Sequence, residues 1–217
     1  MNHPAVPVPP DAAVMLFGPA IESACRFTSL LATHGGERGL IGPREVPRLW
    51  ERHLLNCGLL AELVPGDAEV VDIGSGAGLP GLVIAMLRPQ VRMTLLEPML
   101  RRTVFLGECI AELGLGNVTV RRGRAEDMAG VIRADIAISR AVAPLGRLAE
   151  LSAGLVRPGG TILALKGDQA QAELDQAGTI LRTLGVRSAE VLKVGQGIVE
   201  PPATVVRIFT AAKARRR

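Results

Sequence analysis

From Asp11 to Leu63 apolar residues recur at helical spacing, with breaks at Gly18-Pro19 and across the turn-rich stretch from Gly35 to Pro43. The last segment of this region, Val46 to Leu63, sets Leu49, Leu54, Leu55, Leu59, Leu60 and Leu63 on one face and predicts a helix. Pro65-Gly66-Asp67 closes it with a turn. Beyond that turn the pattern alternates. Short β-branched runs predict strands over Glu69 to Ile73, Arg92 to Leu96, Val118 to Arg121, Ile136 to Ser139 and Thr161 to Leu165. Helices are expected between them, over Pro80 to Leu87, Met99 to Leu113 and about Leu145 to Leu155. Strands separated in this way imply right-handed crossovers and a parallel sheet covered on both faces.

The last third adds a helix from Ala170 to Leu184 and strands from Ser188 to Val194 and Thr204 to Phe209. These two strands are joined by a loop containing Gly195, Gly197 and Pro201-Pro202, without a helix, so they are expected to pair antiparallel. The sum is an α/β fold: a doubly wound, mostly parallel, seven-stranded sheet. Residues 1–64 read as an N-terminal helical cap, 65–212 as the α/β domain and 213–217 as a basic tail. A chain of 217 residues suits one domain with a short appendage.

Composition narrows the setting. No apolar run reaches eighteen residues, and the Pro-rich start lacks the basic and apolar regions of a signal peptide, so a soluble, cytoplasmic protein without membrane contact is expected. Cys25, Cys57 and Cys109 are odd in number and far apart, which points to small buried residues rather than disulfides. His3, His34 and His53 are equally scattered, and no metal site is expected. The net charge of +4 is modest, but its placement is informative. Arg101-Arg102, Arg121-Arg122, Arg124, Arg140, Arg147 and the tail lie near strand ends, helix starts or the terminus, a distribution that favours a nucleic-acid partner over a merely solvated surface.

The most specific stretch runs Val-Val-Asp-Ile-Gly-Ser-Gly-Ala-Gly-Leu-Pro-Gly from Val70 to Gly81, with Glu97 at the end of the next strand. Gly76 to Gly81 satisfies G-x-G-x-x-G, the dinucleotide fingerprint, but a lone match is weak. Asp72 argues against it, because a carboxylate at the strand end repels a pyrophosphate and suits a ligand with an amino group and a positive centre. S-adenosylmethionine has both. Gly74, Gly76 and Gly78 let the backbone approach such a ligand, and Glu97 can accept the hydroxyls of a ribose.

Ligands in a doubly wound sheet collect at the carboxyl ends of the strands where the winding reverses. Asp72 to Gly78, Glu97, Arg124 to Asp127, Ser139-Arg140-Ala141 and Lys166-Gly167 are therefore expected around one crevice. An Arg-Pro-Gly-Gly turn, Arg157 to Gly160, is expected before the strand that ends at Lys166. Asp72 to Gly81, Arg101-Arg102 with Phe105-Leu106, Arg124-Ala-Glu126, Ile138-Ser-Arg-Ala141, Leu165-Lys-Gly167 and, upstream, Arg52-His53-Leu54-Leu55 together resemble the RsmG (glucose-inhibited division protein B) family.

The resemblance implies a class I, Rossmann-like methyltransferase that uses S-adenosylmethionine to methylate guanine N7 of 16S ribosomal RNA, free or in the small subunit, as a monomer. It implies that Gly74 and Leu79 line the methionine and ribose side, that Glu97 takes the ribose hydroxyls, and that Ala125 and Glu126 meet the adenine. Arg140 is implied beside the donor and the entering base, positioning that base. His53, Arg101, Arg102 and Lys166 are candidate RNA contacts; for His53 helix packing, for Lys166 a strand cap, and for Arg140 an ion pair with Asp72 or Glu126 are the alternatives.

Guanine N7 carries a free lone pair, so the reaction needs no general base, which agrees with the lack of an acid–base constellation. A small-molecule methyltransferase shares the donor site but does not need the arginines. An RNA-binding assembly protein shares the arginines but not the chemistry, and a nicotinamide oxidoreductase shares only the glycines.

Overall fold

The computed structural model describes residues 6–212; the basic tail expected at 213–217 lies outside the described residues. Seven strands form one sheet: β1 (Glu69–Ile73), β2 (Arg92–Glu97), β3 (Val118–Arg122), β4 (Ala134–Arg140), β5 (Val156–Lys166), β6 (Ser188–Val194) and β7 (Ala203–Phe209). Their order is β3-β2-β1-β4-β5-β7-β6. The first five run parallel, whereas β7 lies antiparallel between β5 and β6. Winding reverses between β1 and β4, so the carboxyl end of β1 opens onto the crevice where such sheets take ligands.

β1 is central because Val70, Val71 and Ile73 are all buried, and only a strand covered on both faces tolerates such a run. Its exposed first residue, Glu69, pairs in register with Arg92 at the start of β2. Helices α4 (Gly81–Leu87) and α5 (Leu100–Leu113) follow β1 and β2, and α6 (Leu145–Ala153) and α7 (Ala170–Thr183) follow β4 and β5. Two apolar clusters result, one on each sheet face.

The N-terminal region packs α1 (Asp11–Phe17), α2 (Ile21–Leu30) and a helical segment spanning 46–63 onto the face that also buries α4 and Phe105 of α5. That segment is not a uniform helix. It opens as a 3₁₀ turn (Val46–Arg48), widens to π geometry over Leu49–Leu55, returns to α over α3 (Asn56–Leu59) and tightens again over Leu60–Leu63. The widened stretch buries Leu49, Trp50, His53, Leu54 and Leu55, and π turns of this kind recur at functional sites.

Two other expectations are corrected. The Arg-Pro-Gly-Gly sequence is not a turn ahead of the strand but a bulge inside β5. The partner of β4 jumps from Val156, opposite Ala134, to Thr161, opposite Ile136, and Gly159 supplies the positive φ of +81° that the kink needs. Helix α4 begins at Gly81 rather than Pro80, and the Gly81 N–H, in its first turn, has no acceptor within the helix. Cys57 and Cys109 are buried, and desolvation pushes their thiols up to about 11 and about 12, whereas Cys25 is only partly covered. Among the described residues no helix is long and apolar enough to cross a membrane.

The loop between β6 and β7 touches the cap at one point. A Cβ on Gly195 would sit 2.4 Å from both terminal methyls of Leu59, which is fully buried, and Gly195 has φ of +80°. Gly195→Ala is therefore expected to lower stability by about 1–3 kcal/mol through overpacking and backbone strain, seen as a lower urea midpoint at constant slope. An unchanged midpoint would show that this packing yields without cost.

Candidate active site

The loop after β1 is organised around Asp72. Its carboxylate is 1% exposed; Oδ2 accepts the N–H of Gly81 at 3.0 Å, and Oδ1 is buried with no hydrogen-bond partner. Burial is the main reason its pKa rises to about 7, against the lowering effect of the Gly81 hydrogen bond and of the charge on Arg140; the Ser75 hydroxyl donates to the Asp72 backbone carbonyl at 2.9 Å. Gly81 must be glycine here: a Cβ would lie 2.6 Å from Oδ2 and 2.4 Å from Leu95. Gly74, Gly76 and Gly78 all have positive φ, and a Cβ on Gly76 would meet nothing closer than the carbonyl of Gly74 at 3.7 Å. In dinucleotide folds a helix N-terminus at this position receives the pyrophosphate, but here the Gly81 N–H is already bonded to a carboxylate. The match to G-x-G-x-x-G is therefore one of spelling.

Glu97, at the end of β2, is also 1% exposed. Its Oε2 accepts Gly76 N–H and its Oε1 accepts Met99 N–H, both at 3.0 Å, so it joins the glycine loop to the start of α5. Arg102 leans over it at 3.7 Å, with its own Nε buried and unpartnered. Arg102 is thus partly committed to Glu97, while Arg101 on the same turn is exposed. Arg122 sits opposite Glu97 in the β2–β3 register, and Arg121, Arg122 and Arg124 are exposed. Leu79 and Ala125 are buried beside this loop region. Glu126, expected with Ala125 against the adenine, opens the short 3₁₀ turn Glu126–Met128 and pairs its half-exposed carboxylate with Arg147.

A crevice of about 890 Å³ flanks the glycine loop; its lining includes Arg52, His53, Asn56, Arg140, Lys166 and Pro201. The segment Ala141 to Pro144 also lines it, and Val142 reaches across to within 3.1 Å of where a Cβ on Gly74 would stand. Ala141 is the one described non-glycine residue with positive φ, at +55°. Arg140, the last residue of β4, forms neither of the ion pairs considered from sequence. It donates to His53 Nδ1 at 2.7 Å and to the carbonyl of Arg52 at 3.3 Å.

Lys166 corrects an expectation. Its ammonium is 9% exposed and bonded to the carbonyl of Ala143 at 2.9 Å and to Glu173 at 2.7 Å, so it is not free to meet a phosphate. Glu173 also accepts the N–H of Leu145, and the pair ties the Ala141 to Pro144 segment to α7.

Of the residues expected around one crevice, His53, Arg140 and Lys166 line it, whereas Asp72, the glycines and Glu97 form the adjoining loop at the ends of β1 and β2, which the crevice meets where Val142 lies over Gly74. Glu45 and Glu173 were not singled out from sequence. Each lies seven or eight residues from its partner across a break in helical geometry, a spacing that carries no periodic signal. The partnerless Asp72 Oδ1, the open space over Gly76 and the inward Glu97 carboxylate fit the amino group and ribose of S-adenosylmethionine.

Comparison with known proteins agrees. The fold is shared with the Thermotoga maritima SAM-dependent O-methyltransferase, at 13% identity and a TM-score of 0.56 over 74% of this chain and 66% of that one. It is shared equally with M. jannaschii TYW2 in complex with AdoMet, at 17% identity and a TM-score of 0.56 over 74% and 76% of the two chains. The ribosomal RNA small subunit methyltransferase G of Thermobifida fusca is 56% identical over 93% of this chain and 85% of its own length. Its counterpart in Streptomyces avermitilis is 54% identical over 94% and 86%. The GidB family model, described as rRNA small subunit methyltransferase G, matches residues 20–200, and the chain belongs to that family.

Proposed function

We propose that this protein transfers the methyl group of S-adenosylmethionine to N7 of a guanine in 16S ribosomal RNA. The observation that carries this reading is the adjacency of two unlike compartments. The acid-lined glycine loop suits a cationic nucleoside, and the Arg140 crevice begins where Val142 covers Gly74. The donor supplies an electrophilic methyl on a positively charged sulfur. Asp72 accepts the donor's ammonium on Oδ1, and Glu97 meets its ribose hydroxyls with the lone pairs that Gly76 and Met99 leave free. The backbone at Ala125 borders the adenine, and Arg140 orients the incoming guanine. Because N7 already presents a lone pair in the major groove, no residue needs to remove a proton. Catalysis rests on alignment, which supplies roughly 7–11 kcal/mol in well-oriented systems.

The exposed Arg101, Arg121, Arg122 and Arg124 form a cationic rim on the β2–β3 side, placed to hold the RNA backbone while one purine enters. On this reading the protein acts as a monomer, and a ribosomal substrate supports action in the cytoplasm. A small-molecule methyltransferase leaves that rim unexplained.

Incubation with donor labelled in its methyl group and 16S RNA lacking this modification, free or in the small subunit, is expected to place label at one guanine. The strand should then cleave there after reduction and aniline treatment. Label confined to protein or small metabolites would refute the reading. Arg101→Glu is expected to raise the KM for RNA about tenfold near physiological salt, with donor affinity unaffected. It should also flatten the plot of log KM against log salt by about 0.7 for each phosphate that the rim no longer neutralises. An unaltered salt slope would remove the rim from the interface.

Asp72 generates a prediction on stability. Folded, it keeps its proton up to about pH 7; unfolded, an aspartate loses it near pH 4. Between those values the folded state binds more protons, so its contribution is full below about pH 4 and is lost as pH rises to about 7, at up to about 1.4 kcal/mol per unit. The difference in urea midpoint between wild type and Asp72→Asn, without donor, should therefore shift against wild type from pH 5 to 8. Parallel profiles would mean that Asp72 is ionised throughout.

A further inference from the structure

We propose that Glu45 and His53 clamp the guanidinium of Arg140, which makes Glu45, in the turn ahead of the cap's widened helix, a positioning residue for methyl transfer. The inference rests on the role given above to Arg140. It begins from that residue's unusual partners: a guanidinium close enough to act on the buried Asp72 carboxylate is not bonded to it and is held by an imidazole nitrogen and a backbone carbonyl. A guanidinium only donates, so His53 Nδ1 must offer a lone pair across the 2.7 Å separation. The ring proton then sits on Nε2, where Glu45 Oε2 accepts it at 2.8 Å. The carboxylate therefore selects the tautomer that lets the other nitrogen face Arg140. The second oxygen of Glu45 takes Arg52 at 3.2 Å, and the carbonyl of Arg52 takes Arg140, so the chain of contacts closes on itself.

The π geometry over Leu49–Leu55 is what allows this. It buries His53 while leaving the Arg52 carbonyl able to accept both Arg140 and the side chain of Asn56. Fixing the plane of Arg140 fixes the plane against which a purine can lie, and a misplacement of about 1 Å at such a position costs about 100-fold in rate.

Protonation is the clamp's weak point, because charged His53 has no acceptor for Arg140 and sets two cations side by side. Burial, then the charge on Arg140, lowers the proton affinity of His53 below its ordinary value, against the opposing pull of Glu45. The hydrogen bond from His53 holds the Glu45 carboxyl below the usual range, so it stays ionised as the ring titrates. Arg52 and Arg48 of the cap add positive charge at Glu45, Arg52 also acts on the ring, and Arg140 faces the ring from β4. Across the crevice stand Lys166 and Glu173, already paired to each other, and Asp168. The acid limb in kcat, at saturating donor, is thus expected below pH 6.5, the ordinary histidine value. The titration of Asp72 falls instead on donor KM.

The test joins ¹⁵N imidazole shifts of the full-length protein to the kinetics of RNA methylation. Wild type should show neutral His53 with its proton on Nε2 at pH 7.5. Glu45→Ala should mix the tautomers and lower kcat about 10- to 100-fold with donor KM little moved. Glu45→Gln, whose amide oxygen still accepts from Nε2, should recover much of that loss and shift the acid limb to lower pH, since the carboxylate no longer raises the affinity of the ring for a proton. His53→Phe should mimic Glu45→Ala, while His53→Asn, which restores an acceptor near Nδ1, should recover rate and abolish the limb altogether. A His53 proton on Nδ1 in wild type overturns the clamp whether or not any variant folds. So does full kcat in Glu45→Ala, or an acid limb that survives in His53→Asn. Wild-type protein with the Nε2 tautomer but no RNA methylation would overturn the functional reading itself, and with it the role claimed for Glu45.

Discussion

A carboxylate that is 1% exposed and half satisfied is the constraint around which this site is built. Asp72 comes into the sheet's centre because β1 is covered on both faces, and its desolvation is offset only in part by Gly81 N–H. That single bond explains two features that read separately along the chain. The acid and the last glycine of the motif form one device, since any larger residue at position 81 would displace the carboxylate. The same bond occupies the helix N-terminus that a pyrophosphate would need, so the loop is closed to one cofactor class by the arrangement that opens it to another.

Charge is then sorted by depth. The acids Asp72 and Glu97 are buried, whereas Arg101, Arg121, Arg122 and Arg124 stand at the surface. Under the proposed reading this sorting draws a cationic nucleoside inward and a polyanion to the rim, so donor and acceptor do not compete for one field. Arg102 bridges the two layers, lying over Glu97 at 3.7 Å. Arg140 belongs to neither layer, which is why its orientation depends on neutral partners rather than on a counter-ion.

Much of the fold was legible because its signals are local. The boundaries of β1 and β6 agree with those expected, since each is a compact run between turn residues. The sheet order follows from right-handed crossovers and a helix-free final connection. What escaped was non-local or irregular. The Pro-Gly-Gly sequence looks like a turn until β4 is seen to pair on both sides of it. The 46–63 segment has an apolar face that suggests one helix, and Trp50 and His53 fall on that same face between Leu49 and Leu54, so the change from 3₁₀ to π to α geometry leaves no mark in the pattern. Site chemistry divides in the same way. Asp72, Glu97 and the glycines are carried by a contiguous motif, whereas the partners of Lys166 and His53 depend on long-range geometry that no spacing announces.

The cap is therefore more than a cover. Its apolar residues, among them Phe17, Phe27, Leu49 and Leu54, share one cluster with Leu82, Leu95 and Phe105 of the α/β domain. Trp50 packs edge-on against Phe17 at 6.0 Å and donates to the carbonyl of Pro7, which fixes the widened helix from its far side. Moving the cap would break that core, at a cost of several kcal/mol for even a few large side chains. The His53 wall of the crevice is thus rigid. The facing wall is held as well, since Lys166 bonds the carbonyl of Ala143 and Glu173 takes the N–H of Leu145. Under the proposed reading, a purine that enters between these walls meets a guanidinium whose plane is already set by His53 and the Arg52 carbonyl.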